Sequence, residues 1–173
     1  MEQIDKLKKL YAETSKHSNY QILPGRLSQL IDNKDLKVKS RYERERLVFI
    51  TKTINIRGSS ILDIGGNSGY FSLELIERGV SNVHYYEGNK AHADFVKIAS
   101  SLLGYEDKIE ITNNYFSFDK NFEENYNIVL LLNVLHHLGD DYGDTELSII
   151  KAKDVIIRQL NNLSNKTEYL VFQ

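Results

Sequence analysis

The stretch Ile61-Leu62-Asp63-Ile64-Gly65-Gly66-Asn67-Ser68-Gly69-Tyr70-Phe71-Ser72 decides the fold of this 173-residue chain. A short apolar run rich in branched residues ends in an acid, passes a glycine turn and enters a helix. Such a run is what a buried parallel strand requires, and the glycines let the backbone turn sharply and approach a ligand. A dinucleotide fingerprint would read G-x-G-x-x-G and seat a pyrophosphate on the helix N-terminus. Here the order is G-G-x-x-G, preceded by Asp63. A carboxylate attracts an ammonium or sulfonium group and repels a polyanion, so Asp63 favours S-adenosylmethionine over a nicotinamide dinucleotide.

A second strand, 82–86, is closed by Glu87, which lies 22 positions beyond Gly65. A carboxylate accepts from both vicinal ribose hydroxyls at once, so an acid at this strand tip can fix the sugar of an adenosine cofactor. Glu87 alone does not separate the two cofactors; its spacing from the glycine loop is the informative part.

From Gly58 to Gln173 the chain resembles the class I, Rossmann-like S-adenosylmethionine-dependent methyltransferases. ILDIGGNSGYFS is similar to the family's first motif, VHYYEGN to its second and YNIVLLLNVLHHL to its fourth. The resemblance implies a cofactor site from Asp63, Gly65, Gly66, Asn67, Gly69, Phe71, Glu87, Gly88, Asn133 and Val134. S-adenosyl-L-homocysteine would be the product. Gly66 stands where Cys is common and Asn67 where Gly is common, and Asn tolerates unusual backbone angles. After strand three the family often carries an Asp for the adenine amino group. This chain offers Asn113, Asn114 and Tyr115 instead, so Asn114 would accept that hydrogen bond and Tyr115 would stack on the ring.

Methyl transfer asks mainly for alignment, plus removal of a proton when the acceptor is a hydroxyl or neutral amine. His137, with His136 as the alternative, is the general-base candidate after strand four. Asp140, Asp141 and Asp144 read as helix caps, and a metal site from His136, His137 and Asp140 is set aside. Upstream, Lys34, Lys37, Lys39, Arg41, Arg44 and Arg46 form a basic run broken by Glu43 and Glu45. The plain reading is a solvated helix start. The functional one makes Lys39, Arg41 and Tyr42 a lid that pairs with the cofactor carboxylate or an anionic substrate, with Tyr20 and Gln21 joining that cover. His17, His84 and His92 read as structural or surface residues.

Strands and helices alternate: strand 60–64, helix 69–78, strand 82–86, helix 90–103, strand 108–112, strand 126–132, a long helix near 144–162, and strand 168–172. The expectation is an α/β fold with a doubly wound, mostly parallel sheet of order 3-2-1-4-5. Residues 1–57, with apolar spacing at Ile4, Leu7, Leu10 and Tyr11, then Leu27, Leu30 and Ile31, then Leu47, Ile50 and Ile54, form a helical lid or extension before a core at 58–173. The link from Asn113 to Asn125 is expected to hold one short turn of helix around Phe116 to Phe122. The family's final antiparallel strand pair is absent after Phe172, which leaves strand five an apolar edge suited to a homodimer and suggests a shortened domain.

Composition is that of a globular domain with one core. No apolar run spans a bilayer, and the charged N-terminus is unlike a signal peptide, which points to a cytoplasmic protein. The chain contains no Cys, which excludes disulfides and thiolate metal sites. A net charge of −2 gives no general pull toward nucleic acid. Three functions compete. A methyltransferase acting on a small-molecule or saccharide oxygen leads, because the N-terminal helices with the FSL and VLHHL segments resemble the methyltransferase halves of enzymes that modify cell-surface polysaccharide. An RNA-modifying methyltransferase and a catalytically silent binding subunit follow, with a nicotinamide enzyme fourth.

Overall fold

The computed structural model describes residues 2–13, 20–31, 36, 38, 40–118, 124–137, 146 and 148–173. Lys34, Lys37, Lys39, His17, Asp140, Asp141 and Asp144 lie outside the described residues, as does the side chain of His136. Three helices come first: α1 (Glu2–Ala12), α2 (Gly25–Leu30) and α3 (Glu43–Thr53). Alternation follows with β1 (Ser60–Ile64), α4 (Tyr70–Glu77), β2 (Asn82–Tyr86), α5 (Lys90–Leu103), β3 (Ile109–Thr112), β4 (Tyr126–Leu131), α6 (Ile149–Leu163) and β5 (Thr167–Phe172).

The five strands form one sheet of order β3-β2-β1-β4-β5, and every neighbouring pair is parallel. β1 sits at the centre, with Asp63 opposite Tyr85 on β2 and Leu130 on β4. Its interior residues are all buried, which is why Ile61 to Ile64 reads as a continuous apolar run around one acid rather than as an alternating pattern. The order places a topological switch between β1 and β4, where the chain winds outward in opposite directions and a crevice opens beyond the strand tips.

Local chemistry sets the helix ends. The Asn89 side chain accepts from the Ala91 and His92 amides to start α5, and Gly104, at φ 72°, ends it in the left-handed region. The Ser148 side chain accepts from the Lys151 amide and starts α6 later than the spacing of apolar residues suggests.

The N-terminal helices do not stand off from the sheet. Leu7 and Tyr11 of α1, Leu27 of α2, and Leu47 and Ile50 of α3 join Ile61, Leu75, Phe95 and Leu130 in one buried cluster. Tyr11 and Phe95 meet with ring centroids 5.7 Å apart. Each such aliphatic side chain withdrawn from water contributes about 1.5–3 kcal/mol. A second cluster on the other face joins Leu62, Ile64, Val129 and Leu131 to Phe116, Phe118 and Leu163.

Of the link after β3, where a short turn of helix is expected around Phe116 to Phe122, only the first residues are described. Residues 115–118 have no regular structure, and residues 119–123 lie outside the described ones. Phe116 and Phe118 pack edge to face at 5.0 Å, and Phe116 meets Tyr86 in the same way. Aromatics two apart share a side only on an extended chain, so burying both rings excludes a helix there.

Candidate functional site

A cleft of about 500 Å³ opens beyond the C-terminal tips of β1, β2 and β4. Its floor is the glycine loop. The amides of Gly65 and Gly66 both donate to the Tyr86 carbonyl, at 2.8 and 3.2 Å, so the loop turns across the end of β2 as it leaves β1. Gly65 takes φ 69°, and a Cβ there would come within 2.8 Å of Val134. A Cβ on Gly66 would strike the Tyr85 ring and sit 2.8 Å from the Asp63 carboxylate. The room that a side chain would fill is therefore taken by the second and fourth strand tips, and the bare backbone faces the cleft. Gly69 lies behind this floor, capping α4 and packing on Val96.

Asp63 is buried beneath the loop, with Oδ2 accepting from Ser72 Oγ at 2.6 Å. Burial pushes its carboxyl up to about 6; the Ser72 hydrogen bond pulls the other way, and the nearby Glu87 charge adds to the rise. Glu87 binds the two loops together. Its Oε2 accepts from the Asn67 amide and its Oε1 from the Asn89 amide, each at 2.8 Å. Asn67 sits at φ 53°, in the left-handed region that Asn tolerates, and its side chain accepts from the Ser68 amide. The buried Tyr85 hydroxyl donates to the Asn67 carbonyl, and burial drives that phenol's pKa well above its usual range.

The adenine-side candidates stand at the β2–β3 edge of the cleft. Asn114 and Tyr115 line it, and the Tyr115 ring packs against Gly88. The neighbouring Asn113 amide donates to the Glu87 carbonyl at 2.8 Å instead of facing a ligand. At the β4 side, Asn133 takes φ 59° and lines the cleft with Val134 and His137. The His137 amide closes a turn onto the Val134 carbonyl at 3.0 Å.

The third wall comes from the N-terminal region. Arg41 lies over the Tyr20 ring at 4.0 Å, and both line the cleft. Tyr42 does not line it: its ring is 75% exposed and its backbone holds φ 64°. Glu43, which interrupts the basic run, is not a solvated charge. It is fully buried, accepts from the Arg41 amide at 2.7 Å and from Ser40 Oγ at 2.8 Å, and has Arg46 3.6 Å away. Arg46 in turn donates to the Arg41 carbonyl at 2.6 Å and to Gln173 Oε1 at 3.0 Å, with Phe71 beneath it at 5.5 Å. Burial holds the Arg46 guanidinium below its usual value, while Glu43 pulls it back and Arg41 lowers it further.

Of the candidates in the described residues, the cleft thus gathers Asp63, Gly65, Gly66, Asn67, Phe71 and Glu87 with Gly88, Asn114, Tyr115, Asn133, Val134, His137 and Arg41. Glu43, Arg46, Asn89 and Phe118 line it as well and were not singled out from sequence. The one hint for the first two was an acid placed three positions before an arginine, a helical pairing distance. His84 lies away from the cleft; its ring nitrogens meet Tyr126 Oη at 2.7 Å and Thr112 Oγ1 at 3.0 Å. Among the described residues no group of three or more acids and histidines could hold a metal ion, and no helix is long and apolar enough to cross a membrane.

The sequence matches no protein-family model and no curated protein. Solved structures do match its fold. A structure of the bifunctional kinase-methyltransferase WbdD aligns with a TM-score of 0.65 at 18% identity, over 93% of this chain and 33% of that one. TehB from Haemophilus influenzae aligns with a TM-score of 0.55 at 17% identity, over 82% and 40%. For yhhF from Escherichia coli the TM-score is 0.52 at 16% identity, over 75% and 62%. The chain therefore spans between a third and three-fifths of the length of these structures. Likenesses at such low identity establish the fold, which is the Rossmann-like methyltransferase fold.

Proposed function

We propose that the cleft binds S-adenosyl-L-methionine and that the chain is a methyltransferase acting on a small-molecule or saccharide acceptor through oxygen. The observation that carries this reading is the pair of carboxylates at adjacent strand tips, Asp63 under the glycine loop and Glu87 clamping it. Asp63 beside the glycine loop disfavours a pyrophosphate and suits a sulfonium cation, and Glu87 suits a ribose. The bare backbone at Gly65 and Gly66 and a cleft of about 500 Å³ fit a ligand of nucleoside size.

Each residue then has a task. Glu87, at the tip of β2, holds the ribose hydroxyls, since a carboxylate oxygen accepts from more than one donor. Asn114 and Tyr115 take the adenine. Asn133 and Val134 take the methionine portion. Arg41, lying over the Tyr20 ring, covers the site and pairs with an anionic group. The bound cofactor supplies an electrophilic methyl on a positively charged sulfur. His137 would accept the acceptor hydroxyl proton, and the cofactor, once its methyl is given up, would leave as S-adenosyl-L-homocysteine.

Calorimetric titration with S-adenosyl-L-homocysteine, with NADH as control, tests the reading. Saturable binding of the first alone is expected. Binding of NADH, or of neither by a folded chain, would overturn it. His137→Ala should lower turnover about 100-fold and leave that affinity nearly unchanged.

A further inference from the structure

Helix α4 starts without the device that usually starts a helix. Its N-cap residue is Gly69, which has no side chain to accept from the first amides. The missing acceptor arrives from a residue nearly fifty positions away in the chain: Gln21 Oε1 accepts from the Tyr70 amide at 3.1 Å and from Ser68 Oγ at 3.2 Å. Gln21 is itself held, because its carbonyl accepts from the buried Tyr11 hydroxyl at 2.5 Å. Four residues on, the Gly25 amide donates to Glu74 Oε1 at 2.5 Å, so the segment is tied to α4 at two levels. On the other side of Gln21 stands Tyr20, under Arg41.

We infer that Gln21 is a positioning residue that caps α4 in trans, completes the glycine loop and registers the Tyr20–Arg41 cover over it; the inference rests on the cleft being the cofactor site. The reason lies in the loop's own geometry. Asn67 and Gly69 both hold positive φ, at 53° and 74°, and Ser68 between them carries the hydroxyl that Gln21 accepts from. The loop amides from Gly65 to Gly69 are taken by Tyr86, Glu87, the Asn67 side chain and Gly66, so the outside acceptor serves the next two donors, Ser68 Oγ and the Tyr70 amide, and fixes the step from loop to helix. An amide oxygen does this without adding charge to a cleft already lined by Asp63, Glu87 and Glu43. Residues far apart in sequence thereby act as one binding element, with the cover fixed to the floor through a single side chain.

The test uses the full chain and three variants. Gln21→Met keeps length and removes the acceptor, Gln21→Glu restores an acceptor, and Tyr11→Phe frees the Gln21 carbonyl while keeping the ring. In Gln21→Met, exchange of the Tyr70 amide without ligand should quicken about tenfold, and S-adenosyl-L-homocysteine should bind about tenfold more weakly. Tyr11→Phe should shift both in the same direction by less. Gln21→Glu should return affinity to within about threefold of the parent. Faster exchange with unchanged affinity would overturn the inference, as would an affinity loss that merely tracks the melting temperature and is not rescued by Glu. If the parent chain fails to bind the nucleoside, the cofactor reading falls, and the exchange measurement still decides whether Gln21 orders the loop: no change at Tyr70 would overturn it.

Discussion

Two helices flank the same sheet and could hardly be treated more differently by it. In α4 every residue from Tyr70 to Ile76 is buried, whereas α6 is almost twice as long and buries only Leu163. Ile149, Ile150 and Ile157 of α6 are exposed, as are Tyr169, Leu170 and Phe172 on the adjoining β5. The difference teaches where the fold concentrates its interactions. The half built from β1, α4 and β2 carries the glycine loop and is over-determined, locked by Asp63–Ser72, by Glu87 on two amides and by the N-terminal segment on Gln21 and Gly25. The β4–β5–α6 half is held mainly by the parallel ladder and one apolar seam.

The harshest way to break the contrast is Gly66→Val. The new side chain must enter the Tyr85 ring and the Asp63 carboxylate, so nucleoside affinity should fall more than about 100-fold and stability by about 1–3 kcal/mol, as calorimetry and denaturant unfolding would report. Truncating one apolar side chain in each half sharpens the comparison next. Leu75→Ala in α4 should cost about 2–5 kcal/mol, and Ile157→Ala in α6 less than about 0.5 kcal/mol. Equal losses would show that α6 packs as firmly as α4. Glu87→Gln keeps the size but halves the acceptor character at two amides and at the ribose, and should weaken nucleoside binding about tenfold with little change in melting.

The smallest expected effect is a pH dependence confined to the well-packed half. The folded-state value of Asp63 is raised to about 6 by burial, above the ordinary carboxylate range. The native state therefore binds this proton more tightly than the unfolded chain. Its contribution favours the fold below about pH 4 and is lost as pH rises through 6. A cationic ligand needs the ionised carboxylate, so affinity should rise over the same window in which this stability contribution falls. Asp63→Asn should flatten both profiles.

Much of the tight half is legible in the residue order. The strand ends at 64 and 86 are written by Gly65 and Glu87, and the helix that follows Gly69 shows its apolar residues in the next positions. Such features are local: a turn that leaves a strand sharply needs glycine, wherever the rest of the chain lies. What stayed hidden is non-local. Gln21 meets Ser68 and Tyr70, and Arg46 meets Gln173, across separations at which periodicity carries no information. Glu43 looked like one more charge in a mixed run because its burial is decided by Arg41 and Arg46 folding back on it. The packing of Phe116 is hidden for a related reason: its partner Tyr86 belongs to another strand.

The stacking of Arg41 on Tyr20 has a kinetic consequence. Gly65 lies against Val134 and Gly88 against Tyr115, so two sides of the cleft are backbone lying close on side chains. The Tyr20–Arg41 side is two long side chains meeting face to face, and such a contact opens by rotamer changes alone. Tyr20→Ala, which removes the ring that carries Arg41, should therefore shorten the dwell time of a bound nucleoside, as a dissociation-rate measurement would report.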